Sequence, residues 1–220
     1  MTNKSSLVIS NQTDCHEHLE KVVKKHLVTP YLKPYHHFSE QLFEKLDKLQ
    51  QKLMLSIILD SGCGTGESTI NLAQLYSDHL IIGIDQSAHR LKKTIGAQSY
   101  LHKDNYIIAR GDVIDLWRMI NKAKWNIDKH YLLYPNPWPK KDQLIRRWHG
   151  HPVFPQMINF CKKIELRTNW DIYAREFKLA TSLITERKMT INNIKQAELT
   201  TPFEKKYFAS KHKLFRAIIN

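Results

Sequence analysis

The densest concentration of chemically useful residues is ILDSGCGTGEST, in which Asp60 stands two places before Gly62, and Gly62, Gly64 and Gly66 alternate. The chain holds only seven glycines, so this cluster marks a place where backbone comes close to something else. It follows an apolar run and opens a helical pattern, the position at which doubly wound sheets bind nucleotides. The spacing excludes two nucleotide readings. A dinucleotide fingerprint needs glycine where Glu67 stands, and a phosphate loop needs a Gly-Lys-Ser/Thr ending that is absent. An acid in the first helical turn is tolerable when the ligand carries no pyrophosphate. Two further acids fall at corresponding places. Asp85 ends the next apolar run, LIIGID, about 20 residues past the glycines, where a carboxylate accepts from ribose hydroxyls. Asp112 follows the third, IIARGD, beside the expected place of an adenine. Each acid alone could be a turn residue or a helix cap. Three at successive strand ends after such a loop describe a binding cleft.

A second cluster is HYLLYPNPWPKKDQLIRRWHGHP. Ligands of α/β sheets sit outside the carboxyl ends of the strands, so the residues after this fourth strand border the reacting group. Lys140, Lys141, Arg146 and Arg147, with His149 and His151, interleave with Trp138 and Trp148. Lysine and arginine neutralise phosphates and bases stack on aromatic rings. The whole chain carries 34 basic against 21 acidic residues, a net charge of +13, which calls for a polyanion such as nucleic acid.

The elements that must position these residues are readable as an alternation. Short apolar runs at Ser56–Leu59, Leu80–Ile84, Tyr106–Ala109, His130–Tyr134 and Lys163–Arg167 alternate with helical patterns near Glu67–Tyr76, Ala88–Ala97, Val113–Asn121 and Trp170–Ile184, with a shorter helix before Cys161. This grammar predicts a Rossmann-like α/β fold with a mostly parallel, doubly wound sheet. Leu214–Ile219 is expected as a last, antiparallel edge strand. Residues 1–18 read as a flexible lead-in, 19–53 as a helical extension broken at Pro30–Pro34, and 54–220 as the α/β domain. In 220 residues two full-size domains would be cramped.

Acidic residue–x–GxGxG is the pattern of class I methyltransferases that bind S-adenosylmethionine; Asp60 would then face the ligand's ammonium. With PNPWPKK…RR, the RTN segment at Arg167–Asn169 and TPFE at Thr201–Glu204, the chain resembles the bacterial tRNA (guanine-N7)-methyltransferase family over roughly residues 55–219. The resemblance implies methyl transfer from S-adenosylmethionine to N7 of guanine 46 in the tRNA variable loop. It implies that Asp60, Gly62, Gly64, Gly66, Asp85, Asp112 and Asn136 line the cofactor side. Lys140, Asn169, Thr201 and Glu204 would meet the substrate, with Arg146 and Arg147 on the RNA. Two departures stand out. The family has aspartate where Asn136 precedes Pro137 and Trp138, and that residue is its proposed catalytic group; the family's later Thr-Asp is Thr168–Asn169 here. A glycine pair usual before that strand is also missing from CKKIELRTN.

Two alternatives stay open. Asn-Pro followed by an aromatic is similar to the Asn-Pro-Pro-Tyr motif of amino-group methyltransferases, whose neutral Asn accepts from a target amine in RNA or protein. A cofactor-binding RNA-binding protein without catalysis is the other. Cys15, Cys63 and Cys161 form no CxxC, so neither a disulfide framework nor a zinc knuckle is expected, and a reducing cytoplasm fits. Cys63 reads as a packing residue. His36–His37 and His149–His151 lack acidic or thiol company at ligand spacing; no metal is expected, and these histidines are expected to face solvent or RNA. No apolar run approaches the roughly 18 residues of a membrane span. The expected partner is tRNA, with the protein a monomer or homodimer and no membrane contact.

Overall fold

The computed structural model describes residues 5–195 and 201–219; residues 1–4 of the lead-in lie outside it. Its contacts divide the chain into two units. The glycine-loop unit comprises Leu32–Tyr131 and Asn159–Lys162; the basic-run unit comprises Met1–Tyr31, Leu132–Ile158 and Lys163–Asn220.

In the glycine-loop unit, β1 (Ser56–Ser61), β2 (His79–Asp85) and β4 (Tyr106–Arg110) run parallel, β1 also pairs in parallel with β5 (Ile127–Leu133), and β3 (Tyr100–Lys103) pairs antiparallel with β4 at the edge. Ile57, Ile58, Leu59 and Leu80–Ile82 are buried at successive positions. Burial without alternation means that both faces are covered, as a parallel sheet requires. Each such side chain contributes about 1.5–3 kcal/mol relative to exposure. The register pairs Asp60 with Gly83 and Asp85 with Arg110, which brings the three acid-bearing strand ends to one end of this sheet. Three helices complete the alternation: α3 (Glu67–Leu75), α4 (Ala88–Ile95) and α5 (Val113–Ala123). The extension adds α2 (His37–Leu53), which buries Leu42 and Leu46 one turn apart. It ends at Met54 in the left-handed region, φ 51°, whose N–H returns to Gln50. Phe43 stacks on Trp125 at 5.2 Å, and Trp125 Nε1 donates to Asp47 Oδ1 at 2.7 Å, fixing this helix to the segment before β5.

In the basic-run unit the order is β6 (Cys161–Thr168), β8 (Phe215–Ile219), β7 (Met189–Asn193), with β8 antiparallel to both neighbours. The tail strand is antiparallel as expected, but it is not the edge. β7 covers it, through pairs from Met189↔Ile219 to Asn193↔Phe215. β7 and β3 went unread because MTINN and YLHK are short and largely polar, the composition of edge strands. The remaining elements here are α1 (Leu19–Val28), two 3₁₀ turns at Lys141–Arg146 and Trp148–Gly150, α6 (Phe154–Asn159), α7 (Asp171–Ser182) and α8 (Pro202–Ala209). The core of this unit forms where Phe177 of α7 meets Phe154 at 5.1 Å and Tyr173 meets His149 edge-on at 4.6 Å.

Candidate functional site

The glycine loop takes its shape from backbone that only glycine adopts easily: φ is +80°, +63° and +84° at Gly62, Gly64 and Gly66. A Cβ at Gly66 would lie 2.5 Å from Ile108 Cδ1, whereas one at Gly62 would meet nothing within 4 Å. Gly66 therefore serves close packing, and Gly62 borders open space that a ligand could fill. Beside them Asp60 is only 1% exposed. Its Oδ2 accepts from Ser68 Oγ at 2.6 Å and Thr69 Oγ1 at 2.7 Å, while its Oδ1 has no hydrogen-bond partner. Burial pushes its carboxyl up to about 6, the two hydroxyls offsetting only part of that. A buried carboxylate oxygen with no donor fits a ligand cation, and the methionine ammonium of S-adenosylmethionine is one.

The other acids are more heavily committed. Asp85 Oδ2 accepts from Gly64 N at 2.9 Å, and its Oδ1 from Ser87 N at 2.7 Å and Arg90 at 3.0 Å. It holds the loop in place with one oxygen and the α4 entry with the other. Asp112 caps α5, its Oδ1 accepting from Ile114 N at 2.8 Å and more weakly from Asp115 N at 3.4 Å. Cys63 is buried, and burial raises its thiol well above the usual range, which disfavours the reactive thiolate. Among the described residues, His36, Asp112 and Asp115 bring three potential ligand atoms within 4.8 Å. Asp115 already accepts from His36 N at 2.9 Å and lies 3.8 Å from Arg118, which accounts for this cluster as a helix start.

The basic-run unit holds a cleft of about 390 Å³ lined by Tyr134, Asn136, Asn169, Tyr207 and the segment Ser6–Ile9. The chain enters it under strain, with Tyr134 at φ 55° and Trp138 at φ 45°, conformations that non-glycine residues hold only where the surroundings enforce them. Asn136 is exposed in the cleft, its Oδ1 making one long contact, 3.4 Å, with Trp138 N. Asn169 Nδ2 lies 3.1 Å from His212 Nδ1. Lys140 is exposed, and the exposed Arg146 lies over the Trp138 ring at 4.9 Å.

Four expectations need correction. Arg147 is 0% exposed. It donates to Glu176 at 2.5 Å, Gln12 at 3.0 Å, Lys140 O at 3.2 Å and Trp138 O at 3.1 Å, so it reaches no phosphate. His149 is equally buried, on the same Glu176 at 2.8 Å, and faces neither solvent nor RNA. Thr201 and Glu204 are buried as a capping box on α8: Thr201 Oγ1 accepts from Glu204 N at 3.1 Å, and Glu204 Oε2 from Thr201 N at 2.9 Å. Glu204 Oε1 also takes Arg167 at 2.7 Å and the Tyr134 hydroxyl at 3.3 Å. Both side chains are thus engaged within the protein, Glu204 directly behind Tyr134. Sequence reading passed over Glu176, His212 and Tyr207, for which no local signal existed. It also passed over Ser6–Ile9, whose apolar Leu7-Val8-Ile9 in a polar lead-in was a signal.

A family model described as "Putative methyltransferase" matches residues 55–217. A tRNA (guanine-N(7)-)-methyltransferase of Paracoccus denitrificans is 27% identical over 63% of this chain and 54% of its own length. One of Mycoplasma genitalium is 29% identical over 68% of this chain and 69% of its own. The chain thus spans about half the length of the first of these relatives. In fold it is similar to the 16S rRNA methyltransferase KamB, with a TM-score of 0.57 at 12% identity over 85% of this chain and 94% of that one. The fold is the Rossmann-like one of class I methyltransferases, and with the model match over residues 55–217 the chain belongs to this methyltransferase family, close to the tRNA (guanine-N7)-methyltransferases.

Proposed function

We propose that the protein is an S-adenosylmethionine-dependent tRNA methyltransferase acting on N7 of a guanine, guanine 46 of the variable loop by resemblance. The observation that carries the cofactor half is Asp60: a buried carboxylate with one unpartnered oxygen, beside the open space at Gly62. The substrate half is taken over from the relatives' names and supported by the cleft around Asn136, with Lys140 and Arg146 exposed beside it.

When bound, S-adenosylmethionine supplies an electrophilic methyl group on a sulfonium. In this reading Asp60 holds the ammonium, and the glycines let backbone approach the methionine part. Asp85 is the ribose-facing carboxylate, which requires Arg90 to yield its place. Asp112, with one oxygen given to the α5 cap, borders the adenine. Guanine N7 already has an in-plane lone pair, so its methylation removes no proton and needs no general base. The ring becomes cationic as the bond forms, and the side chains of the cleft contribute by orientation and electrostatics. Asn136 offers a carbonyl dipole where the family has a full negative charge. Lys140 and Arg146 hold phosphate, Arg146 backed by the Trp138 ring.

The test is methyl transfer from labelled S-adenosylmethionine to unmodified tRNA, followed by mass identification of the methylated nucleoside. N7-methylguanosine is expected, and Asn136→Asp should raise the rate, by up to the ~2–4 kcal/mol that such electrostatic contacts contribute elsewhere. A neutral, exposed Asn136 also suits an amino-group acceptor. An N-methylated exocyclic amine, with Asn136→Asp inactive, would replace the N7 reading with that one. Cofactor binding without transfer to any RNA would leave a binding protein.

A further inference from the structure

The cleft contains a hydrogen-bond chain that fixes which way the Asn169 amide faces. His212 Nε2 lies 3.1 Å from the backbone carbonyl oxygen of Ser5. A carbonyl only accepts, so Nε2 carries the proton and donates. A neutral ring then presents a lone pair at Nδ1, and the atom 3.1 Å away is Asn169 Nδ2, an amide nitrogen that only donates. The two contacts are consistent with one arrangement: Asn169 donates to His212 Nδ1, and His212 donates to Ser5. The ring is held there by its surroundings. It is 6% exposed, stacks on Tyr207 at 5.2 Å and 16°, and its backbone N–H donates to Tyr207 O at 3.0 Å. One of the two N–H groups of Nδ2 is used in this way, and Oδ1, at the other end of the amide, is the acceptor of a residue that lines the cleft.

We propose that His212 is a positioning residue that holds the Asn169 amide with its oxygen toward the cleft and thereby selects a base offering N–H groups. Guanine presents N1–H and the 2-amino group side by side on its pairing edge. Adenine presents an N1 lone pair next to its amine, and an opposed carbonyl oxygen repels that lone pair. An aspartate at position 169 would need no such partner, because both of its oxygens accept; an asparagine does, because its two ends differ in sign. The inference deepens the guanine reading and rests on it.

His212→Phe keeps the stack on Tyr207 and removes both ring nitrogens. It should lower kcat/KM for tRNA about tenfold, equivalent to ~1.4 kcal/mol, with cofactor affinity by calorimetry unchanged. Asn169→Asp added to His212→Phe should restore most of the loss, since a carboxylate needs no orienting. A purely structural role for His212 would not be rescued in this way, so a double variant no better than the single one overturns the proposal. Long-range proton–nitrogen spectra of the unsubstituted, histidine-labelled protein should show the His212 ring protonated on Nε2 alone; protonation on Nδ1 overturns it independently of any variant's folding. If the unsubstituted protein methylates no tRNA, the guanine-methyltransferase reading falls. Titration with guanosine and adenosine monophosphates, followed on the Asn169 side-chain amide signal, then still decides the base preference: a guanosine preference abolished by His212→Phe upholds the proposal, and none sinks it.

Discussion

Asp60 is kept at a cost. A carboxyl whose pKa rises from 3.8 unfolded to about 6 folded makes ionisation above pH 6 unfavourable to the fold, by roughly 3 kcal/mol. The sign is that of a raised acid: the cost is present above about pH 6 and is relieved as pH falls toward the unfolded value. A ligand ammonium reverses the balance, because it needs the ionised form. Cofactor affinity should therefore climb as pH rises from 5 to 7, by up to about tenfold per unit below the folded pKa. Asp60→Asn keeps an acceptor for Ser68 and Thr69 but cannot ionise. Calorimetry should show its affinity flat across that range and about 10–100-fold weaker at pH 8, the size of a charge-assisted hydrogen bond. Denaturation of the ligand-free variant at pH 8 should show it at least as stable as the parent. A variant that binds normally would remove the ammonium role.

At the scale of elements, the basic run divides between two neighbours that the sequence shows as equals. Arg146 and Arg147 differ in fate because the 3₁₀ turn Lys141–Arg146 ends between them, which leaves Arg146 over Trp138 in solvent and turns Arg147 onto α7. There Glu176 collects Arg147, His149, Gln12 and the His16 backbone N–H. Burial alone would raise the Glu176 carboxyl, but His149 and Arg147 more than reverse this and bring it to about 2. Arg147→Met should lower the unfolding free energy by about 3–5 kcal/mol, the loss that follows when one partner of a buried pair is removed. Arg146→Ala should change stability by less than ~0.5 kcal/mol and weaken RNA binding. Chemical denaturation and filter binding on both variants measure the two effects, and the opposite pattern would return Arg147 to the RNA. Strand–helix alternation was legible because β1, β2 and β4 are continuous apolar runs that only a sheet covered on both faces tolerates. The glycine loop was legible because its backbone needs that residue type. The pairing of Arg147 with Glu176, and of Asn169 with His212, was not, since each joins residues far apart in sequence whose chemistry is complete only in three dimensions. The TPFE segment illustrates the reverse: Thr-x-x-Glu is the spacing of a capping box, and the structure gives Thr201 and Glu204 that role.

For the molecule as a whole, the charge of +13 overstates the number of cations able to meet a polyanion. Arg147 and Arg167 are buried on Glu176, Glu165 and Glu204, and Arg175 is paired with Asp14 and with Asp171. The charge available to a polyanion therefore rests on exposed side chains such as Lys140, Lys141 and Arg146, and on the Lys205–Lys206 pair of α8. Each phosphate such a side chain neutralises releases condensed counterions, so log K for RNA should fall linearly with log salt at about −0.7 to −0.9 per phosphate. A footprint of about five phosphates would lose on the order of 100-fold in affinity between 50 and 200 mM salt. Arg146→Ala should make the slope shallower by about one such increment. Arg147→Met, where it remains folded, should leave the slope unchanged, because a buried guanidinium releases no counterions. A slope near zero for the unsubstituted protein would mean that its positive surface does not touch phosphate at all. Any affinity for RNA would then have to arise in the cleft of about 390 Å³ alone, and no preference for tRNA over a free nucleotide would be expected.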